Sequence, residues 1–329
     1  MMDLNRRTIL TGAVAAGAAA LTPAAGQAAA PPSGKQVAGF YRYKLGDIEV
    51  TVVTDGANRL PVTDAFVINV KKEDVNAALV AAYMEPGFFV GPYNPIVINT
   101  GSKLALVDTG TGAANFERSK GAAGQFTTNL AASGIDVGAI DTVIISHYHG
   151  DHMNGLLKAD NSLAFPNAEI LVPANEHQFY MDDGNMSRAP KGRIEDVFKN
   201  VRRVMSGDVL KRVRTYAWDK EVIPGVLAVG TPGHTPGHTS HIVSSGSKKV
   251  YVQADVTHAP YLFARNPGWH AYYDQDPVMA EATRRKVYDM LVAERMMVQG
   301  FHYPFPSVAH VEKSGSGYRE IPVLWNTVL

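Results

Sequence analysis

A short stretch rich in histidine follows an apolar segment near the middle of the sequence. Residues 142–145 read Thr-Val-Ile-Ile, which is typical of a buried strand. The side chains after it that could bind a metal ion are His147, His149, Asp151 and His152. A straight strand would divide them between its two faces, whereas Gly150 permits a sharp turn that brings them together. Imidazole and carboxylate groups without a thiolate suit zinc or a similar divalent metal.

Three further residues of the same types come shortly after other strand-like segments. They are His234, Asp255 and His302. Binding sites in layered α/β folds collect at such strand ends. Four ligands from one loop cannot share one tetrahedral metal ion and still leave room for water, so two ions are the natural interpretation. Two cations can share a water molecule and lower its pKa to about 7, which makes hydrolysis the predicted chemistry.

The elements that must position these residues predict a layered α/β fold. We expect strands at 40–45, 48–54, 96–99, 103–107, 142–145, 169–172, 226–229, 240–244, 249–253, 297–299 and 322–324. We expect helices at 126–133, 175–181, 195–205 and 277–295, with a polar loop at 182–194. Strands that pair, then alternate with helices, then pair again suit two mixed sheets with helices outside.

The first thirty residues have the composition of an export signal. Arg6 and Arg7 precede an apolar stretch rich in Ala and Gly, and a run of small residues follows it. The pair resembles a twin-arginine signal, although Asn5 stands where Ser or Thr is usual. The apolar stretch is too short to span a bilayer stably. We therefore predict a signal at 1–30, a catalytic domain at 31–329, and a periplasmic or secreted protein.

The composition argues against several classes of binding partner and of chemistry. Lys plus Arg is 31 and Asp plus Glu is 31, so the chain is neutral and argues against nucleic acid as a partner. Cysteine is absent, which excludes disulfides, thiolate ligands and a cysteine nucleophile. We expect a small-molecule substrate and no membrane span. The long helix at 277–295 and the aromatic segments are compatible with a homodimer.

The ordered set of ligand-type residues resembles the metallo-β-lactamase superfamily, and Asp108-Thr109-Gly110 fits the same pattern. The resemblance spans roughly residues 40–325. It implies an αββα sandwich of two mixed sheets with outer helices, and two divalent metal ions, zinc foremost. It assigns one ion to His147, His149 and His234, and the other to Asp151, His152 and His302. Asp255 would bridge the ions, and Asp255 and Asp151 would be the catalytic residues that hold the hydroxide.

A closer resemblance is to the methyl parathion hydrolases and their dihydrocoumarin-hydrolase relatives, which the segment Gly-Phe-His-Tyr-Pro-Phe-Pro at 300–306 supports. The chain departs from the parathion-specialised members at His258 and Tyr273, where they carry smaller aliphatic side chains. It also has Ser119 and Asp196 where they carry aromatic ones. A bulkier, more polar pocket suits a flat aryl lactone better than a phosphotriester. The candidate pocket residues are Phe179, His258, Trp269 and Tyr273.

We therefore expect a hydrolase of lactones or aryl esters with some organophosphate triesterase activity. Organophosphate hydrolysis as the main activity is one alternative. A mononuclear iron oxygenase, which would use fewer ligands, is another. A non-catalytic periplasmic metal-binding protein is the third, and the filled ligand positions weigh against it.

Overall fold

The computed structural model of the protein describes residues 33–329. The predicted signal at 1–30 lies outside the described residues, so export and the domain boundary stay predictions. Residues Ala38–Leu329 form one unit. No helix in the described part of the chain is long and apolar enough to cross a membrane.

Short strands dominate the chain, as the sequence predicts. The strands are β1 (Phe40–Leu45), β2 (Ile48–Val53), β3 (Gly56–Pro61), β4 (Phe88–Tyr93), β5 (Ile96–Asn99), β6 (Leu104–Val107), β7 (Thr142–Ile144), β8 (Glu169–Pro173), β9 (Val213–Tyr216), β10 (Glu221–Ile223), β11 (Val226–Gly230), β12 (Thr239–Ser245), β13 (Lys248–Ala254), β14 (Met297–Gly300), β15 (Val308–Ser314) and β16 (Gly317–Pro322). The helices are α1 (Lys72–Ala81), α2 (Ala114–Arg118), α3 (Phe126–Ala132), α4 (Gly150–Met153), α5 (Ala174–Met181), α6 (Asp183–Arg188), α7 (Arg193–Val204), α8 (Gly207–Arg212) and α9 (Pro277–Glu294).

The strands form two seven-stranded sheets and a separate hairpin. The N-terminal sheet has the order β1-β2-β5-β6-β7-β8-β9, and the C-terminal sheet runs from β10 to β16 in sequence order. Strands β6 to β9 are parallel, and β13 is parallel to β14. The other neighbours are antiparallel, so both sheets are mixed. Strands β3 and β4 make the hairpin.

The core lies in layers on both sides of the sheets. Val50 and Ile98 of the N-terminal sheet pack with Val226 and Val250 of the C-terminal sheet in one buried apolar cluster. Helices α3, α5 and α7 cover the outer face of the N-terminal sheet, and α9 covers that of the C-terminal sheet. This arrangement confirms the predicted αββα sandwich.

Two local predictions are wrong. Residues 182–194 are not a continuous loop, because they contain helix α6, whose start the Asp182 side chain caps by accepting the Asn185 N–H at 2.6 Å. This capping bond outweighs the loop-like composition. The predicted strand at 322–324 is absent, since β16 ends at Pro322 after pairing with β15.

Candidate metal centre

The seven predicted ligands meet at one edge of the sandwich. All of them follow strands, namely β7, β11, β13 and β14, and parallel pairing places the ends of β13 and β14 side by side. Their ligand atoms form two groups, in each of which the atoms lie within 4.8 Å of one another. We call His147, His149, His234 and Asp255 the first group, and Asp151, His152 and His302 the second group. This division is the one that the family resemblance implied, and metal binding by the groups stays a prediction.

In the first group the imidazole nitrogens face one another. His149 Nδ1 lies 2.8 Å from His234 Nε2 and 3.1 Å from His147 Nε2. His234 Nε2 lies 3.2 Å from Asp255 Oδ2. Nitrogens that face each other this closely must share protons or bind a common cation.

The second group uses both carboxylates. His302 Nε2 lies 3.4 Å from Asp151 Oδ2, and His152 Nε2 lies 3.7 Å from the same oxygen. Asp255 contributes as well, since its Oδ1 lies 3.2 Å from His152 Nε2 and its Oδ2 lies 3.2 Å from His302 Nε2. Asp255 therefore contacts both groups, which is the position of a bridging ligand.

Unsatisfied buried atoms test whether metal ions fit these groups. Among the described residues, His152 Nε2 and Asp255 Oδ1 are buried and, although they lie 3.2 Å apart, neither forms a hydrogen bond of acceptable geometry. Such a group costs about 1–3 kcal/mol when it is left unpaired in the interior. A divalent cation would satisfy both atoms, and the mixed nitrogen and oxygen donor set suits zinc or a similar ion.

Burial and neighbouring charges shift the pKa values of the ligand residues in different directions. Burial lowers the pKa of His147 and of His149 well below the usual value, so both imidazoles are neutral, the form that binds metal. Burial would also lower the pKa of His152, but the neighbouring carboxylates, Asp255 foremost, together raise it well above the usual value, so this ring must lose a proton to bind metal. Burial opposes ionisation of Asp255, but the charges of the neighbouring histidines, His152 foremost, together outweigh it and hold the Asp255 pKa well below its usual value. Asp255 is therefore an anion in a buried site.

Hydrogen bonds from outside the two groups orient the second group. His152 Nδ1 lies 2.8 Å from Asp108 Oδ2, and Asp108 also accepts the Ser146 N–H at 2.8 Å. His302 Nδ1 lies 2.8 Å from the Pro92 carbonyl oxygen. Because these partners take up Nδ1, each ring presents Nε2 to the centre.

A buried glutamate ties two ligand loops together. Glu176 on α5 accepts the Tyr148 N–H at 2.9 Å and the Gly237 N–H at 2.8 Å. Burial raises the pKa of Glu176 to about 7, against the opposing effect of these hydrogen bonds. A side chain at Gly237 would overlap the Glu176 backbone nitrogen, so this turn requires glycine. His238 Nε2 accepts the Asp255 N–H at 3.0 Å and so supports the loop that carries this ligand.

A cavity of about 670 Å³ opens onto both groups. The aromatic side chains that line it are Phe66, Phe89, Tyr93, Tyr272 and Tyr273. His258 also lines it, with Nε2 3.2 Å from Asp255 Oδ2 and its ring stacked on that of His302. The size and the apolar lining suit a small organic molecule.

The sequence matches the metallo-β-lactamase superfamily over residues 89–292, which is more than half of the chain. The chain belongs to the metallo-β-lactamase superfamily. This membership confirms the predicted family and the predicted class, a metal-dependent hydrolase. Together with the two groups of ligand atoms, it fits a dinuclear metal site.

Solved metallo-β-lactamase structures share this fold. One is described as hydrolase AbOPH of the β-lactamase superfamily; it has 28% sequence identity and a TM-score of 0.81, with 89% of this chain and all of that chain covered. Another is AidC, a dizinc quorum-quenching lactonase in complex with a product, at 24% identity, a TM-score of 0.81 and the same coverage. At that identity the second likeness concerns the fold alone.

A curated relative extends the comparison. An N-acyl homoserine lactonase from a Bacillus species is 27% identical over 158 residues. The match covers 47% of this chain and 53% of the relative. The chain thus spans about half the length of the curated relative that it matches.

Two predicted pocket residues of this superfamily member lie elsewhere. Phe179 is absent from the residues that line the cavity in the described structure, because α5 turns it toward Tyr180 and Phe198, at ring distances of 5.0 and 5.5 Å. Trp269 packs into the apolar cluster with the hairpin and α1 instead. Ser119 and Asp196 do not line the described cavity either. Of the predicted pocket residues, the structure places His258 and Tyr273 in the cavity.

Sequence reasoning missed the opposite wall of the cavity. Phe66, Phe89 and Tyr93 come from residues 56–93, where we predicted no element. The run Phe-Phe-Val at 88–90 is a strand signal, but Gly91 and Pro92 interrupt it.

A buried ion pair that the sequence did not suggest supports the first group. Asp274 Oδ1 lies 2.8 Å from His234 Nδ1, and its Oδ2 lies 3.4 Å from Arg284 Nη2. Burial would lower the pKa of His234, but its bonds to Asp255 and Asp274 raise it to about 9. Arg284 also donates to the Val256 carbonyl at 3.1 Å, so the pair links His234 to the loop after Asp255.

We expect Asp274→Asn to weaken metal binding by about 10–100-fold, because a neutral amide no longer orients His234 or raises its basicity. Competition with a chromophoric chelator measures this affinity. The matched control is Glu281→Gln, which changes another carboxylate beside a histidine, His270 at 2.9 Å, away from the ligand groups. Equal metal affinity in Asp274→Asn and the unmodified protein would exclude this role for Asp274.

Proposed function

We propose that this protein hydrolyses lactones or aryl esters with two bound divalent metal ions, zinc foremost. The observation that carries the proposal is the pair of ligand groups that share Asp255 at the floor of an aromatic cavity. The N-acyl homoserine lactonase among its relatives supports the lactone substrate class. Hydrolysis of organophosphate triesters is proposed as a side activity.

Bound at these residues, two divalent cations would activate water near neutral pH and polarise the oxygen under attack. The chain itself supplies the geometry and the surroundings. Asp255, anionic and buried, fixes the two groups relative to each other. The aromatic wall removes the apolar part of a substrate from water and favours an aryl ring by stacking.

Two polar atoms of the cavity residues remain for the substrate. Among the described residues, the Tyr273 hydroxyl and His258 Nδ1 are buried without a hydrogen-bond partner. The two rings lie 4.2 Å apart and next to the His302 ring. They can hydrogen-bond the ring oxygen or carbonyl oxygen of a lactone, which favours such a substrate over a purely apolar one.

The proposal is tested by initial rates on dihydrocoumarin and methyl parathion with the zinc-loaded protein, each repeated after chelation. We expect a lactone rate far above the phosphotriester rate, and loss of both on removal of the metal. A phosphotriester rate above the lactone rate would make organophosphate hydrolysis the main activity. A single iron ion per chain with neither activity would instead favour an oxygenase.

A further inference from the structure

The charged side chains that line the cavity divide into two kinds. The carboxylates are Asp151 and Asp255, and the cations are Arg118 and Arg193. Both carboxylates belong to the ligand groups, where bound metal ions would more than neutralise them. The arginines then add to a cavity that is already positive, and low-dielectric walls concentrate such a field.

Arg193 is held beside the cavity without an acidic partner. It begins helix α7 and is half-buried. Its Nη2 donates to the Tyr273 carbonyl at 3.1 Å, and its guanidinium carbon lies 5.9 Å from the centre of the Tyr272 ring. Among the described residues it makes no ion pair with a carboxylate. A guanidinium has five donors, so most of them remain for a ligand.

Arg193 lines the same cavity as the first group. His149 and His234 of that group face this cavity together with Arg193. A ligand in the cavity can therefore contact both the metal centre and Arg193. Arg118, which ends α2, is more exposed and donates from Nε to Asn115 Oδ1 at 2.9 Å, again without an ion pair among the described residues.

We propose that the substrates of this site are anionic, namely lactones or aryl esters that carry a carboxylate, and that Arg193 binds this carboxylate. The inference rests on the proposed function and adds the charge of the substrate to it. A planar guanidinium matches a carboxylate with two parallel hydrogen bonds, which a lysine cannot provide. Arg118 adds attraction at longer range, which salt weakens.

A matched pair of probes tests the proposal: dihydrocoumarin with a carboxylate at ring position 6, and the methyl ester of that carboxylate. We expect the zinc-loaded protein to favour the acid over the methyl ester by about tenfold or more in kcat/KM. Arg193→Gln should lower this ratio by about tenfold, and Arg193→Lys should lower it less. High salt should reduce the ratio as well.

The control variant is Lys199→Gln, which removes one positive charge from the same helix at a side chain 56% exposed and outside the cavity lining. It should leave the ratio unchanged. A ratio at or below one in the unmodified protein, or the same ratio in Arg193→Gln, would overturn the proposal. Opening of the lactone ring in the methyl ester probe, which carries no charge, tests the proposed function separately from the charge preference. If neither probe is hydrolysed, calorimetry gives the affinities of the zinc-loaded protein for the two probes. The ratio of these affinities then replaces the ratio of kcat/KM, with the same expected and contradicting results.

Discussion

Replacing Asp255 with alanine is expected to lower kcat for lactone hydrolysis by at least about 10³-fold, since the two-metal arrangement contributes several kcal/mol to catalysis. Asp255 contacts both groups with its carboxylate, through Oδ1 to His152 Nε2 and Oδ2 to His234 Nε2, each at 3.2 Å. Without it, the facing imidazoles lose the anion between them. We also expect fewer than two metal ions per chain after dialysis, measured by elemental analysis.

The design of this experiment separates the bridging role from a loss of fold. Asp208→Ala is the control, because its side chain is 74% exposed and lies far from the ligand groups in the sequence. Asp255→Asn keeps the size of the side chain and removes the charge, so it should resemble Asp255→Ala in rate while it keeps the thermal stability closer to that of the unmodified protein. Two tightly bound metal ions and a normal rate in Asp255→Ala would show that Asp255 does not bridge.

The ligand groups could be predicted because each ligand lies at a local signal. An apolar strand precedes His147, and the turn at 231–238 that carries His234 is rich in proline and glycine. Parallel pairing of β13 with β14 then brings Asp255 and His302 to the same edge, where His302 Nε2 lies 3.2 Å from Asp255 Oδ2. Ligand-type residues that directly follow strands can therefore be recognised as a candidate site from a single sequence.

The residues that support the ligands could not be predicted in this way. Asp274 is distant in sequence from its partner His234, and its second partner Arg284 lies inside helix α9. Nothing in the local sequence distinguishes Arg284 from an exposed helical arginine, although it is 1% exposed. Its burial follows from the packing of α9 on the C-terminal sheet, which is a tertiary property.

The prediction of the cavity walls failed for a related reason. Phe179 and Phe198 are aromatic residues on helices, and either could face the cavity or the core. The structure pairs them with each other at 5.5 Å, on the outer face of the N-terminal sheet. The actual wall comes partly from hairpin β3–β4, whose strand β3 contains exposed residues and shows no apolar alternation.

His302→Ala is expected to remove the metal ion of the second group and to leave that of the first. The second group would keep Asp151 and His152 alone besides the shared Asp255, whereas the three histidines of the first group are untouched. The first group keeps all four of its ligands, three of them imidazoles, whereas the second keeps a single imidazole, so we expect about one tightly bound ion per chain. The rate on a lactone should fall by about 10²–10³-fold, because one ion no longer shares the activation of water.

The reciprocal variant, His234→Ala, makes this prediction specific. It should lose the metal ion of the first group and keep that of the second. Spectra of the cobalt-substituted variants distinguish the two cases, because the first group is rich in nitrogen and the second group contains Asp151. His310→Ala is the control, as His310 is an exposed histidine on β15. If His302→Ala retained two tightly bound ions and the full rate, the assignment of His302 as a ligand of the second ion would be wrong.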